Sequence, residues 1–336
     1  MLDLSSPRGR ELLAALVSAP GPDAGILLHN RAGRSWLSDE VMRRDRPDLI
    51  HLAVEGRRDG TPALDYTVNA RVGIPYMTGD VAAPEVVNHV LPAWDLLTGA
   101  LASTALLAAL RRRQQTGEGS YAQLALEDVA IASVADLGWL GDAQLSGHDR
   151  PRNGNFVYGT YGDVLTTSDG RHVFVLAMTD RQWDALREAT DTREAFDALA
   201  DALDIDLTTE ESRYHHRELI SAVLQRWFSA RDLPTATAFL KEANALHAAY
   251  ETLTSLAGEL ANSVQSSVVE MVRHPEIGPV LTAGSPIRWA GVPTPAVGCA
   301  PELGAHTAEV LSTVLGLNDS EIAGLVNEGI AAGPLP

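Results

Sequence analysis

The sequence predicts an α/β protein built from two domains. At 336 residues the chain is longer than one simple hydrophobic core usually supports, which favours a large domain with a smaller companion. Its N-terminal part alternates helix and strand patterns, an order typical of a parallel sheet with right-handed crossovers. The composition changes after Arg150, where DRPRNGNFVYGTYGDV forms a turn-rich connection. We therefore expect the second domain to begin near this connection.

Apolar periodicity and capping signals locate the elements of the first domain. Ser5 or Ser6 is expected to cap the first helix, with Pro7 in its first turn. The loop EGRRDG follows the second strand, at the sheet edge where open α/β folds usually bind ligands. The predicted elements are a helix at 6–17, a strand at 25–29, a helix at 37–44, a strand at 48–54, a helix from 95 to about 113, and a strand and a helix within 121–139.

The second half of the chain predicts a smaller domain and a return to the first. TSDGRHVFVLAM indicates a strand pair that turns at Asp169 and Gly170. Helical patterns dominate 181–256, a Pro- and Gly-rich extended segment follows, and the last helices are expected at 306–315 and 319–328. This predicts a large domain at 1–160, a small domain at 161–283, and an extended return with C-terminal helices at 284–336 that packs on the large domain.

Charge and cysteine content exclude several classes of partner. The net charge of −18 repels phosphate backbones and anionic lipids, so neither nucleic acid nor a membrane surface is an expected partner. The single cysteine, Cys299, precludes an internal disulfide and favours a reducing cytoplasm. The most apolar stretch, 96–110, is shorter than the roughly 20 residues that cross a bilayer, and we interpret it as a buried helix.

Asp95 is the sharpest candidate for a catalytic residue. An aspartate directly before LLTGALA is typical of a helix N-cap, and this structural interpretation stands beside a functional one. The backbone N–H groups and the dipole of a helix N-terminus keep a carboxylate ionised, which is the state that a nucleophile needs. Carboxylates are also familiar as covalent catalysts of acyl transfer. We expect Asp95 both to cap its helix and to react.

The other candidate residues allow a structural interpretation as well. Asp65 in LDYTVN is a second acid near a strand end, where a turn residue is common. Arg57 and Arg58 in the ligand-side loop could bind a carboxylate or phosphate, or form a solvated charge pair. His215 and His216 are neighbours on a helix, point about 100° apart, and are not expected to share a metal ion.

GEGSYA has the form of a dinucleotide fingerprint, but a helix precedes it where that motif requires a strand. We therefore do not interpret it as a nucleotide site. The sequence also predicts no metal site.

Four ordered segments resemble the family III CoA-transferases, of the CaiB/BaiF type, over almost the whole chain. They are LDLSSPRGRELL; PAWDLLTGALASTALLAALRRRQQTGEGSYAQLALEDVA; NGNFVYGTYGDVLTTSDGRHV with TDRQW after it; and HPEIGPVLTAGSPIRW followed by PELGAHTAEVL. The resemblance implies a Rossmann-like large domain, a smaller α+β domain, and a homodimer whose two chains interlock. It also implies an acyl-CoA thioester and a dicarboxylic acid as substrates, with no permanently bound cofactor.

The family's catalytic aspartate corresponds to Asp95, and an accessory acid near its acyl site corresponds to Asp65. Asn30 corresponds to the asparagine of a segment that borders CoA, although HNRAGRSW lacks the aromatic residue and the proline of that segment. Gly56 and Tyr66, in the loop and in DYTVN, are further candidate contacts of substrate or CoA. Leu64 stands where the racemases of the family have a histidine, which disfavours racemisation.

The closest likeness within the family is to enzymes that move CoA between the C1 and C4 carboxylates of mesaconate. It rests on GRRDG, DYTVN, VVNHVLPAWD and DRPRNGN. Transfer between two acids, such as from succinyl-CoA to mesaconate, needs the same residues and remains an alternative. Family members normally open with a further β-α-β segment that holds part of the CoA nucleotide. Its absence here implies an upstream start, a partner that supplies it, or a catalytically silent subunit without CoA affinity.

Overall fold

The chain divides into two compact units, which we call unit 1 and unit 2. Unit 1 comprises Met1–Pro75, Asn88–Arg150 and Cys299–Pro336, and unit 2 comprises Tyr76–Val87 and Pro151–Gly298. This computed structural model describes residues 1–21, 24–31, 33–83, 85–263 and 268–333. The domain boundaries expected after residues 160 and 283 lie 10 and 15 residues from the divisions at Arg150 and Gly298.

Unit 1 alternates helices and strands in the predicted order. Its elements up to Arg150 are α1 (Pro7–Ser18), β1 (Ile26–His29), α2 (Asp39–Arg43), β2 (Ile50–Glu55), α3 (Asp65–Arg71), α4 (Ile74–Met77, which runs into unit 2), α5 (Ala93–Thr116), β3 (Ser120–Ala125), α6 (Leu126–Asp136) and α7 (Trp139–Ser146). Ser6 caps α1 by accepting from the Gly9 amide, and Pro7 opens the helix, as predicted.

The sheet of unit 1 is parallel and has the order β1-β2-β3. Ile50 pairs with Ile26 on one side and with Ser120 on the other. The central strand is buried along most of its length, in keeping with its continuous apolar run IHLAV. The parallel α/β arrangement predicted from the alternating pattern is confirmed, and the carboxyl ends of β1 and β2 lie together at one edge.

Helix α5 differs from its prediction in position and in burial. It begins at Ala93, two residues before Asp95, and ends at Thr116, before Gly117, whose positive φ of 74° suits a glycine C-cap. It is the one helix, within the residues described, whose length and mean hydropathy of 1.5 would suffice to span a membrane. It packs beside β2 and β3. The expected buried helix nevertheless leaves most of its surface exposed in the single chain, and the buried residues are Trp94, Thr98, Ala102 and Arg113.

Two short helices between β2 and α5 were not predicted from the sequence. Asp65, expected in a turn near a strand end, is instead the first residue of α3. Helix α4 follows after Gly73, whose φ is 78°. Both helices fall below the length at which apolar periodicity can be recognised, which explains why the sequence pattern did not indicate them.

Unit 2 combines an antiparallel sheet with a layer of helices. Its elements are β4 (Tyr161–Thr166), β5 (His172–Ala177), α8 (Asp180–Ala189), α9 (Arg193–Leu203), α10 (Glu210–His215), α11 (Arg217–Phe228), α12 (Leu233–Glu242), β6 (Leu246–Ala249), α13 (Leu253–Asn262), β7 (Val269–His274) and β8 (Gly278–Ala283). Strands β4 and β5 form the predicted hairpin, with Gly170 in the left-handed region at its turn. Strand β6, which lies inside the segment predicted to be helical, pairs with β5.

The C-terminal segment belongs to unit 1. Helices α14 (Thr307–Leu315) and α15 (Asp319–Asn327) agree with the predicted pair within a residue or two. Leu311 and Ile322 from these helices form a buried cluster with Leu12 of α1. Residues at the two ends of the sequence therefore share one small core.

Candidate active site

Two adjoining cavities open in unit 1 at the carboxyl ends of β1 and β2. One has a volume of about 440 Å³ and the other of about 540 Å³. Both are lined by Asn30 after β1, Val54 near the end of β2, Asp95 in the first turn of α5, and Leu126 at the start of α6. This is the edge of an open parallel sheet at which ligands characteristically bind.

Asp95 reaches the cavities from the third position of α5. The residue is exposed, and its carboxylate has no hydrogen-bond partner among the described residues. The prediction that Asp95 is the N-cap is wrong, because the helix begins two residues earlier, after Pro92. Its place in the first turn still sets the carboxylate in the favourable field of the helix N-terminus. An accessible carboxylate in this field can approach an electrophilic carbon in either cavity.

The capping group of α5 is the side chain of Asp65. Its Oδ2 accepts hydrogen bonds from the backbone amides of Trp94 at 2.7 Å and of Asp95 at 3.2 Å. Pro92 has no side chain that could cap these amides, so a carboxylate from the start of α3 satisfies them instead. Asp65 is only 3% exposed and lines neither cavity. The predicted accessory acid thus lies directly behind Asp95 and contacts its backbone.

Arg57 and Arg58 are held in ion pairs with the start of α6. The Arg57 Nε lies 3.2 Å from Glu127, and its Nη1 donates to the Pro62 carbonyl. The Arg58 Nε lies 2.8 Å from Asp128, and 84% of the Arg58 side chain is exposed. Neither arginine lines the two cavities. Their guanidinium groups are therefore committed to neighbouring carboxylates in this conformation.

Gly56 and Asn30 line the larger cavity, and Tyr66 does not. A Cβ added to Gly56 would lie 2.2 Å from the backbone nitrogen of Ala63, so only glycine permits the loop to fold back at this point. Asn30 is the first residue after β1 and is exposed. Tyr66 is 55% exposed on α3. The structure thus brings Asn30, Gly56 and Asp95 together and leaves Arg57, Arg58 and Tyr66 outside the cavity walls.

Two arginines that the sequence interpretation did not single out line the larger cavity. Arg31 and Arg34 are exposed in the loop after β1, and their guanidinium groups have no carboxylate partner among the described residues. The signal that could have revealed them is their place directly after a strand end, since loops at this edge supply the ligand contacts. They give the mouth of the cavity a local positive charge within a chain of net charge −18.

Thr98 lies one turn after Asp95 and lines the smaller cavity. Its hydroxyl is buried and has no hydrogen-bond partner among the residues described. Ser103 and Thr104, on the same helix, instead donate to the carbonyl four residues earlier. Thr98 therefore keeps a hydroxyl uncommitted beside the cavity.

Comparison with known proteins identifies the relatives of this chain. The model of CoA-transferase family III matches residues 1–307. The chain is 43% identical to a 2-methylfumaryl-CoA isomerase from Chloroflexus aurantiacus, across 99% of this chain and 82% of that protein. It is 28% identical to a succinyl-CoA:mesaconate CoA-transferase from Haloarcula marismortui, across 92% and 78% of the two chains.

A solved structure shares the fold. A CAIB/BAIF family protein from Brucella suis superimposes with a TM-score of 0.72 at 22% identity, covering 93% of this chain and 80% of that one. The shared fold therefore covers nearly all of this chain.

Proposed function

Because this chain belongs to CoA-transferase family III and is a CoA-transferring enzyme, we propose that it moves CoA between the C1 and C4 carboxylates of 2-methylfumarate (mesaconate). The observation that carries the proposal is the accessible Asp95 carboxylate at two cavities beside the sheet edge. The 43% identity to a 2-methylfumaryl-CoA isomerase supports this choice of acyl group.

The proposed reaction begins with attack of the Asp95 carboxylate on the thioester carbon. The C–S bond breaks, CoA leaves as a thiolate, and a mixed anhydride joins Asp95 to the acyl group. The thiolate then attacks the aspartyl carbonyl, which releases the first carboxylate and leaves an aspartyl-CoA thioester. The second carboxylate of mesaconate attacks this thioester, which expels the CoA thiolate and forms a second mixed anhydride with Asp95. The thiolate then attacks the acyl carbon of this anhydride, which forms the new thioester and releases the Asp95 carboxylate. Atoms and charge balance without a metal or a redox cofactor.

Asp65 supports this chemistry as a positioning residue. Its carboxylate holds the amides of Trp94 and Asp95, and so fixes the first turn from which the nucleophile projects. A nucleophile must be held within a fraction of an ångström of its productive position. The other oxygen of Asp65, Oδ1, is buried without a hydrogen-bond partner among the described residues, and Asp65 lines neither cavity, so direct contact with water or the acyl group would require this side chain to become accessible.

Arg31 and Arg34 are better placed than Arg57 and Arg58 to bind the anionic groups of the substrates. Mesaconate carries a free carboxylate after each transfer, and CoA carries phosphates. Both arginines line the Asp95 cavity with their guanidinium groups unengaged, whereas Arg57 and Arg58 contact Glu127 and Asp128. Asn30 and Gly56 complete the polar wall on this side.

Transfer between two acids remains the second candidate function. The observation that favours it is the relation to a succinyl-CoA:mesaconate CoA-transferase at 28% identity. Both reactions share the same aspartyl-CoA intermediate. They differ in whether the acid that accepts CoA is the one just released or a second molecule from solution.

Incubation with mesaconyl-C1-CoA and isotopically labelled free mesaconate separates these functions. We expect unlabelled mesaconyl-C4-CoA on chromatography, because the acyl group remains bound between the two half-reactions. Label in the product would assign intermolecular transfer. Unchanged mesaconyl-C1-CoA, with neither the C4 isomer nor any labelled thioester formed by a folded and CoA-binding sample, would leave a catalytically silent subunit and overturn both enzymatic proposals.

The substrate-binding proposal is tested by Arg34→Gln with Arg58→Gln as its matched control. A charge-assisted hydrogen bond from Arg34 to a substrate anion predicts a rise in KM of about tenfold or more. Arg58 is largely exposed and paired with Asp128, so its loss should leave KM within about twofold. Equal effects of both substitutions would contradict the assignment.

We also propose that the enzyme acts as a cytoplasmic homodimer. The exposed face of α5 carries Leu96, Leu97, Leu101 and Leu107, and the neighbouring edge strand β1 exposes Ile26 and Leu28. Apolar side chains grouped in this way are typical of subunit interfaces. The single cysteine and the CoA substrate suit a reducing compartment. Light scattering of the purified protein should give twice the chain mass, and a monomer at micromolar concentration would contradict the proposal.

A further inference from the structure

A chain of side chains in unit 1 runs from α2 to the cavity wall through two histidines. His29 at the end of β1 lies beside His51 of β2, with 2.8 Å between their Nε2 atoms. His51 Nδ1 lies 3.2 Å from the Asp39 carboxylate, and Arg43 binds the same carboxylate through two of its nitrogens. At the other end, the Arg31 amide donates to His29 Nδ1 at 3.1 Å.

These contacts determine where each proton of the pair must reside. A carboxylate only accepts, so His51 carries a proton on Nδ1; an amide only donates, so His29 has none on its Nδ1. His29 must then carry its single proton on Nε2 and donate it to the bare Nε2 of His51. Both histidines are neutral in this arrangement, and each is a different tautomer.

One additional proton cannot be accommodated without breaking a contact. If it binds His51 Nε2, two N–H groups face each other across the 2.8 Å gap. If the shared proton moves to His51, His29 must take a proton on Nδ1 and lose the Arg31 amide. The pair therefore tolerates only the neutral state, and protonation releases the backbone of Arg31 or separates the rings.

The surroundings of the pair favour this neutral state. Burial lowers the pKa of His29, and the nearby His51 lowers it further. Burial also lowers the pKa of His51, with Arg43 acting in the same direction and Asp39 opposing it. From β3, the Tyr121 ring packs on His51 with their centroids 4.9 Å apart. Burial raises the pKa of Tyr121, and the carboxylates of Glu55, further along β2, and of Asp39 raise it further.

The amide held by this chain belongs to the cavity wall. Asn30 and Arg31 follow His29 directly and line the larger cavity, and His29 and Asn30 line the smaller one. We propose that His29 and His51 are positioning residues, which fix the Asn30–Arg31 wall for substrate binding and release it when one proton is added. This rests on the proposed function for the identity of the ligand, but not for the state of the histidines.

The sign of the pH effect follows from the lowered pKa values. A group whose pKa is lower in the folded than in the unfolded chain stabilises the fold above its unfolded value, about 6.5 for histidine. That contribution disappears as the pH falls through the folded pKa. Because ligands bind the folded protein, affinity in the cavity should weaken as the pH falls through the folded pKa of the pair, which lies below about 6.5.

Imidazole nitrogen NMR of the 15N-histidine-labelled full chain tests the proton arrangement without reference to activity. At pH 7.5 we expect His29 as the Nε2–H tautomer and His51 as the Nδ1–H tautomer, with signals assigned through His29→Asn and His51→Gln. An Nδ1–H tautomer at His29, or an imidazolium at either position at this pH, would overturn the proposal.

Calorimetric titration with CoA tests the consequence for the cavity. His29→Leu removes the acceptor for the Arg31 amide and should weaken CoA binding about fivefold to tenfold at pH 7.5. His29→Asn keeps a side-chain acceptor two residues before this amide, so it should retain most of the affinity while losing the acid weakening of the unsubstituted protein. His215→Gln, which changes an exposed histidine on α10, should preserve both the affinity and its pH dependence.

Equal CoA affinity for His29→Leu and the unsubstituted protein would overturn the positioning role. If the unsubstituted protein itself binds no CoA, the proposed function fails. The NMR measurement of the His29 and His51 tautomers then tests the histidine arrangement by itself.

Discussion

Among the residues that the structure describes, a single continuous cluster in unit 2 gathers the buried apolar side chains of β4, β5 and the helices that pack on them, whereas unit 1 divides its buried side chains among three smaller clusters. Both units bury a guanidinium group: Arg213 of unit 2 binds the carbonyls of Met178, Leu207 and Thr208, and Arg113 of unit 1 binds those of Ala24 and Gly25. Unit 1 differs in that it leaves the leucines of α5 exposed and opens two cavities around Asp95.

This difference indicates that the core of unit 2 contributes mainly to stability, whereas unit 1 carries the groups that react or bind. A continuous core stabilises a unit through many mutual contacts, so loss of one large side chain is costly. A unit that presents an unpartnered carboxylate, free arginines and an apolar helix face keeps groups available for a ligand or another chain. Substitutions in the two units should therefore affect different measurements.

Asp95→Ala should give the largest effect, and it should be confined to activity. Loss of the nucleophile predicts a fall in kcat of at least about three orders of magnitude in mesaconyl-CoA turnover. Because Asp65 rather than Asp95 caps α5, the free energy of unfolding should fall by less than about 1 kcal/mol, the typical value of a charge in a first helical turn.

The matched control is Asp142→Ala, which removes an acidic residue from the first turn of α7. It should change stability by a similar amount and leave kcat unaltered. Substantial turnover by Asp95→Ala would remove this carboxylate from the mechanism.

Phe228→Ala should give the opposite pattern in unit 2. Phe228 is fully buried in the continuous cluster, where its ring packs 4.9 Å from that of Trp227. Truncation of a buried phenylalanine costs about 3–5 kcal/mol, which chemical denaturation would detect as a lower unfolding midpoint. Phe239→Ala, at a 45% exposed ring of the same unit, should cost much less. Similar losses from both rings would show that the cluster is not the source of stability.

Asp65→Ala should lower both stability and activity. It leaves the amides of Trp94 and Asp95 without an acceptor, at a cost of about 1–3 kcal/mol in the free energy of unfolding. Because the first turn also carries the nucleophile, kcat should fall while KM changes little. Asp65→Asn retains an acceptor oxygen and should recover much of both quantities. A variant with full stability and lost activity would instead indicate direct contact of Asp65 with the substrate.

The alternation of helices and strands in the first half of the chain could be predicted because each strand and each long helix carries its own pattern of apolar residues. The parallel pairing of β1 with β2 followed from such local signals. Asp95 could be selected because its flanking segment, PAWDLLTG, resembles that of a known family. These inferences depend on neighbours in the sequence or on the order of motifs along the chain.

The remaining features depend on partners far along the chain. Asp65 caps amides 29 and 30 residues away, which no local pattern can indicate. The carboxylates that engage Arg57 and Arg58 lie 70 residues downstream. The apolar composition of α5 predicted burial because composition cannot distinguish a core helix from one whose face is uncovered in the single chain.

Leu107→Glu on α5 should have the smallest effect on the stability of the chain itself. The side chain is 68% exposed, so its replacement should change the free energy of unfolding by less than about 0.5 kcal/mol. If a second copy covers this face, a buried charge without a partner should weaken association at least about tenfold, which sedimentation of a dilution series would measure. Leu145→Glu, at an 89% exposed leucine of α7, supplies the control. Unchanged association for Leu107→Glu would place the subunit interface elsewhere on the chain.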